Sequence, residues 1–173
     1  MALLPTNKTQ LERLLAARGW GRTLAPRPSG AAITVYFSPA AAGGVTTAVL
    51  RATAQALEAP HPGGVAAWVD GADALDPASA ARAGVPLDRL LWLRAGGAPL
   101  AELLTLTQML VAAARFRAVA LDVRWRPPAE LERWPQAAWF RWLRALERHR
   151  RSQLWVLAPA ALPAPSAVAK VAV

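Results

Sequence analysis

The chain has 173 residues, a formal net charge of +9 and no cysteine, a length that fits one domain of ordinary size. The missing cysteines exclude a disulfide scaffold, a cysteine-based zinc site, an iron–sulfur cluster and a thiol nucleophile, and two histidines (His61 and His149) leave little for a histidine metal site. Apolar residues make up 54% and charged residues 18%, so the chain must bury much of its surface and is not of the disordered class.

TNKTQLERLLAARGW predicts a helix capped by Thr6 or Asn7, with an apolar stripe at Leu11, Leu14 and Leu15 and a stop at Gly19. That helix either reaches a neighbouring subunit as an arm, which would make a homo-oligomer, or covers the edge of its own sheet. ITVYFS (33–38) reads as a buried strand ending before Pro39. TTAVLRATAQALEA follows as a helix with Leu50, Ala54 and Leu57 on one side. VAAWVD (65–70) is a second strand that ends on an acid. DPASAARAG is a short helix with Asp76 as N-cap, Pro77 at the first helical position and Gly84 at its end. RLLWLR (89–94) is a third strand, APLAELLTLTQMLVAAARF a long helix, and AVALDV (118–123) a fourth strand. Residues 129–151 predict a helix broken or restarted at Pro135, and QLWVLAP (153–159) a fifth strand. PAALPAPSAVAKVAV has no helical period and predicts a mobile tail.

Strands alternating with long helices require crossovers, and near-continuous apolar strands are those of a parallel sheet buried on both faces. The division expected is an N-terminal helix or arm over 1–30, a core over 31–160 and a tail over 161–173. No eighteen-residue uncharged run occurs, and the opening residues lack the order of a signal peptide. The expectation is therefore a cytoplasmic protein with no membrane partner.

The charge is clustered. Residues 1–28 carry five basic and one acidic residue, and residues 29–123 six basic and seven acidic. Residues 124–151 carry eight arginines against Glu130, Glu132 and Glu147. A near-neutral core between basic flanks suits a scaffold with contact surfaces for a polyanion or an acidic partner. GC-rich coding would raise the arginine total without functional meaning, and it accounts for the clustering less well than for the total.

In such a sheet, ligands belong beyond the carboxyl ends of the strands. The turn after the first core strand runs from Ser38 to Thr47. A phosphate cradle of the Walker type needs converging backbone N–H groups from glycines, a lysine for the outer phosphates and a hydroxyl for magnesium. Gly43, Gly44, Thr46 and Thr47 remain as a trace, but the lysine position holds Gly44 or Val45, and the first glycine is Ser38 or Pro39. No cofactor is expected.

VAAWVDGADALDPASAARAGVPLDRLLWLR (65–94) resembles the stretch of RecA-type recombinases in which a strand ends in Asp-Ala-Glu-His-Ala-Leu-Asp-Pro. The resemblance runs through Asp70, Ala74, Leu75, Asp76, Pro77, Gly84, Val85, Leu87, Asp88, Leu90 and Leu91 without a gap. GAAITVYFSP is similar to the strand entering the phosphate loop. AVALDV is similar to the Walker B strand with Asp122 in the place of its Asp, and QLWVLAP to the strand leading into the second DNA-binding loop. The likeness spans about residues 30–160. It implies an α/β fold: a RecA-like doubly wound, mostly parallel sheet with helices on both faces, without the RecA C-terminal domain. In that family the Glu of the motif activates the attacking water, and here the position is Ala72, which accepts no proton. With the loop lysine and the glutamate both replaced, the resemblance implies a degenerate ATPase and not an enzyme. The phrase LDRLLWLR resembles most the ImuA group, SulA-like relatives of RecA associated with damage-induced mutagenesis.

On the helix after Pro135, Trp139, Trp142, Leu143 and Leu146 follow a spacing that faces the sheet. Arg141, Arg144, Arg148 and Arg151 recur every three or four residues, with Arg150 beside them. In RecA proteins the first DNA-binding loop precedes this helix, so the resemblance puts Arg124, Trp125 and Arg126 near such a position. Arginine suits phosphate and tryptophan suits base stacking. Contact with single-stranded DNA, contact with an acidic partner, and a merely solvated cationic face all stay open.

The expected function is that of a catalytically inactive RecA-like accessory protein in the SOS response. It would support translesion synthesis by contacting a RecA-type recombinase, a Y-family-like polymerase subunit or both, with contact to DNA left open. The alternatives are a SulA-type inhibitor that binds the division GTPase, and a DNA-binding ATPase with a divergent phosphate loop.

Overall fold

Chain order gives α1 (Lys8–Ala17), β1 (Ile33–Phe37), α2 (Val45–Glu58), β2 (Val65–Asp70), α3 (Pro77–Arg82), β3 (Leu90–Arg94), α4 (Leu100–Ala113), β4 (Phe116–Asp122), α5 (Pro128–Glu132), α6 (Gln136–His149), β5 (Gln153–Ala158) and β6 (Ala169–Ala172). The structure is a computed structural model and describes residues 4–18, 32–38, 44–58, 64–150 and 152–173. Gly19, Pro39, Gly43, His61 and Arg151 lie outside the described residues.

The six strands form one sheet in the order β3-β2-β4-β5-β1-β6, and every pairing is parallel. This is the doubly wound α/β architecture expected from the alternation. Side chains alternate between faces along each strand. On one face Val35, Val69, Val119, Leu121 and Val156 pack with Leu11 and Leu15 of α1, Leu103, Leu106 and Leu110 of α4, and Trp139, Trp142 and Leu146 of α6. On the other, Trp68, Ala118, Ala120, Trp155 and Leu157 meet Val49, Leu50 and Leu57 of α2 and Ala80 of α3. Both strand faces are covered, as an all-parallel sheet requires.

Local chemistry sets the helix ends. Asn7 caps α1 by accepting the Gln10 N–H at 3.0 Å. The stripe of α1, Leu11 and Leu15, enters the core of its own chain beside α4. Asp76 caps α3 by accepting the N–H groups of Ala78 and Ser79 at 3.1 and 2.9 Å, with Pro77 following. Pro135 separates α5 from α6.

Two boundaries depart from the sequence reading. Ala114 takes the left-handed conformation at φ 52 and ends α4, so Phe116 opens β4 where the apolar run had extended the helix. The larger correction is the tail, expected to be mobile. Leu162 and Val168 are buried, Pro163 accepts hydrogen bonds from Trp139 Nε1 at 3.0 Å and Gln136 Nε2 at 2.9 Å, and β6 pairs with β1. Without β6, β1 would present a row of unpaired backbone groups at the sheet edge. Among the described residues, no helix is long and apolar enough to cross a membrane.

Candidate functional site

The parallel register brings Asp70 at the end of β2 directly beside Asp122 at the end of β4. Both side chains point toward the α2 side of the sheet, the side of Trp68 and Ala120, and both residues are essentially fully buried. Two ionised carboxylates on adjacent strands in a low-dielectric setting need separate compensation. Asp70 accepts the N–H groups of Ala74 at 3.0 Å and Leu75 at 2.8 Å, the Ala72 N–H at 3.4 Å and Trp92 Nε1 at 3.0 Å. Its carboxylate therefore organises the loop that follows it. Gly71 allows this loop to close, because a Cβ there would stand 2.6 Å from the Asp122 carbonyl oxygen, to which its N–H donates at 3.2 Å.

Asp122 is compensated by an arginine. Arg124 donates to it through its own backbone N–H at 3.1 Å, through Nε at 3.0 Å and through Nη2 at 2.6 Å. The guanidinium side chain is only 20% exposed and the Asp122 side chain 1% exposed. Arg126 is engaged as well: it donates to the Ala98 carbonyl and lies 3.7 Å from Glu130. Trp125 alone of the three projects outward, 68% exposed, with the Arg124 guanidinium 6.0 Å from its ring.

Across the same edge, the loop after β1 has described flanks only. Ser38 is partly buried, Gly44 has φ +121, Thr46 is partly buried and Thr47 exposed at the start of α2. A Cβ on Gly44 would meet the Val173 side chain at 3.3 Å. Magnesium–nucleotide does not fit the residues present: Ala72 has no carboxylate, neither Gly44 nor Val45 supplies a cation, and both Asp122 oxygens face Arg124 where a metal ligand needs open lone pairs. Among the described residues no group of three potential metal ligands occurs.

Other ionisable groups follow their surroundings. The Ser79 hydroxyl and the Ala78 and Ser79 N–H groups hold the Asp76 carboxyl below its ordinary value. Burial raises Tyr36 on β1 and lowers Arg117 on β4.

A second surface lies on α6. Its inner side is fixed by Trp134, Trp139 and Trp142, whose ring centroids stand 5.0 to 6.0 Å apart. Its outer side presents Arg141, Arg144 and Arg148, all exposed, with Arg150 following in a left-handed C-cap. None of these four has a carboxylate partner among the described residues. Phe140, 54% exposed, stands beside the arginines and was not singled out from sequence, although it falls outside the inward-facing set of Trp139, Trp142, Leu143 and Leu146.

The candidate residues therefore divide into two places. Asp122, Arg124, Trp125 and Arg126 lie at the carboxyl edge of the sheet, as do the described parts of the loop after β1. After Pro135 the crossover helix runs back against the strand direction, so Arg148 and Arg150 lie toward the opposite edge, about 20 Å from the start of α6.

No family model matches this chain, and a search of curated proteins gives no match. Among solved structures, SulA from Pseudomonas aeruginosa is similar at 20% identity with a TM-score of 0.51, over 72% of this chain and 97% of that one. The likeness shows a SulA-like α/β fold.

Proposed function

We propose that this chain is a non-enzymatic accessory protein of the DNA-damage response that works by binding another protein. The observation that carries this reading is the Asp122–Arg124 pair. At the strand end where a RecA-type ATPase needs a carboxylate open to metal, this chain supplies its own cation, covalently tethered two residues away. A fixed guanidinium there compensates charge without chemistry, and Ala72 offers no base for an attacking water. What remains is a scaffold with exposed, rigidly mounted surfaces.

Within that reading, the SulA-type role has one specific observation in its favour. The fold likeness covers nearly the whole of the solved SulA chain. In that role the protein would bind the division GTPase and limit its assembly. The ImuA-type role, contact with a recombinase or polymerase subunit in translesion synthesis, rests on the sequence resemblance over residues 65–94. Co-sedimentation with assembling division GTPase, run beside pull-downs with a RecA-type recombinase and a Y-family polymerase, separates them. Binding to none of the three contradicts the proposal.

A further inference from the structure

We propose that the outer face of α6 is a docking surface for an acidic helical segment of a partner protein, with carboxylates at successive turns around an apolar side chain. This deepens the protein-contact reading above and rests on it. Arg141, Arg144 and Arg148 are exposed and have no carboxylate partner among the described residues, while Asp70, Asp73, Asp76, Asp122 and Glu130 are all engaged elsewhere in the fold. The three arginines climb the helix at spacings of three and four residues, about 4.5 and 6 Å along the axis. Carboxylates spaced i, i+3 and i+7 on a facing helix repeat those intervals.

Phe140 supplies the apolar contact. Its ring is 54% exposed and borders the arginine row, with exposed Ala137 one turn before Arg141. Arginine and aromatic side chains in one patch are the residues that dominate protein interfaces. The mounting is rigid, because the stacked and edge-on tryptophans lock the inner side of α6 and Trp139 ties it to Pro163. A patch held in place before binding loses little freedom when the partner arrives.

Nucleic acid is the poorer occupant. Proteins that hold single strands track the backbone in a basic groove, whereas this row lies on the outward side of a helix with Glu147 exposed beside it. Nor does α6 project as a reading helix does. It packs against α4 along its side, and the segment around Pro163 crosses its first turn.

The test uses the full chain and two labelled synthetic helical peptides of equal composition. One carries Glu at i, i+3 and i+7 around a Leu, and the other scatters the same Glu residues around the helix. Fluorescence anisotropy should show the patterned peptide binding about tenfold more tightly than the scattered one. The variant R141A/R144A/R148A should lose about tenfold and flatten the salt dependence. Phe140→Ala should lose several-fold with the salt dependence unchanged. An oligo-dT strand should bind more weakly than the patterned peptide. Equal binding of the two peptides, or an arginine variant that binds as the parent does, overturns the assignment. So does an oligo-dT strand that binds more tightly and is lost with the same substitutions. If the triple variant still captures the division GTPase or recombinase as the parent does, this surface is wrong while the protein-contact reading stands. If the parent captures no protein, it is the broader reading that fails.

Discussion

Arg124 closes on Asp122 through Nε at 3.0 Å and Nη2 at 2.6 Å, directly beside the equally buried Asp70 on the neighbouring strand. Without the arginine, Asp122 would be an uncompensated charge at the end of an apolar strand. Removing one partner of such a pair typically costs about 3–5 kcal/mol. Arg124→Ala should lower the urea midpoint by that order, and adding Asp122→Asn should recover part of the loss. A single variant as stable as the parent would show that the pair is not what compensates Asp122.

Gly71 is a second fixed point of that edge. Adding a methyl group 2.6 Å from the Asp122 carbonyl forces β2 and β4 apart where their register places the two acids together. Gly71→Ala should cost about 1–3 kcal/mol in denaturant unfolding. Indifference to the methyl group would mean that the loop moves freely, contrary to the four hydrogen bonds Asp70 accepts within and beside it.

The tryptophans differ sharply in what their loss should do. Trp142 is fully buried within the ring cluster, so Trp142→Ala should destabilise by about 3–5 kcal/mol and reduce near-ultraviolet dichroism. Trp125 is largely exposed, and Trp125→Ala should stay within about 0.5 kcal/mol of the parent. Thermal unfolding of the two variants side by side checks the contrast.

Asp76 gives α3 a pH dependence of known sign. Hydrogen bonds from Ser79 and Ala78 lower its pKa from the ordinary 3.8. Its contribution is therefore complete above that ordinary value and is lost as pH falls through the lowered, folded-state one. Protection of the Ala78 and Ser79 amides relative to their intrinsic exchange rates should fall on acidification in that range, and Asp76→Ala should abolish that fall. Protection that is unchanged by acid would contradict the capping role.

Much of the architecture was legible in the sequence because most strands are short apolar runs bounded by turns, and α1 and α3 carry their caps in view. Asp76 with Pro77 is such a signal, and so is the break at Pro135. The tail was not legible. Its strand is four residues long with one partner, and the prolines before it mask the alternation of Ala169, Val171 and Val173. The candidate site was half legible. Asp122, Arg124 and Arg126 were picked out as separate features, one a relic of metal binding and the others for DNA. An aspartate at a strand end accepts the backbone N–H two residues on as the chain turns, and that spacing already contains the Asp122–Arg124 contact. Phe140 was legible by exclusion, since the helical spacing that turns Trp139, Trp142, Leu143 and Leu146 inward leaves it on the arginine side. The separation of Trp125 from Arg148 needed the crossover direction, which composition and spacing do not express.

The most direct test of the proposal that this α/β scaffold binds other proteins and turns over no nucleotide is steady-state phosphate release from magnesium–ATP by the purified chain, with and without single-stranded DNA. The account predicts release no faster than the protein-free blank in both conditions. Turnover that follows protein concentration and disappears in Asp122→Asn would contradict it.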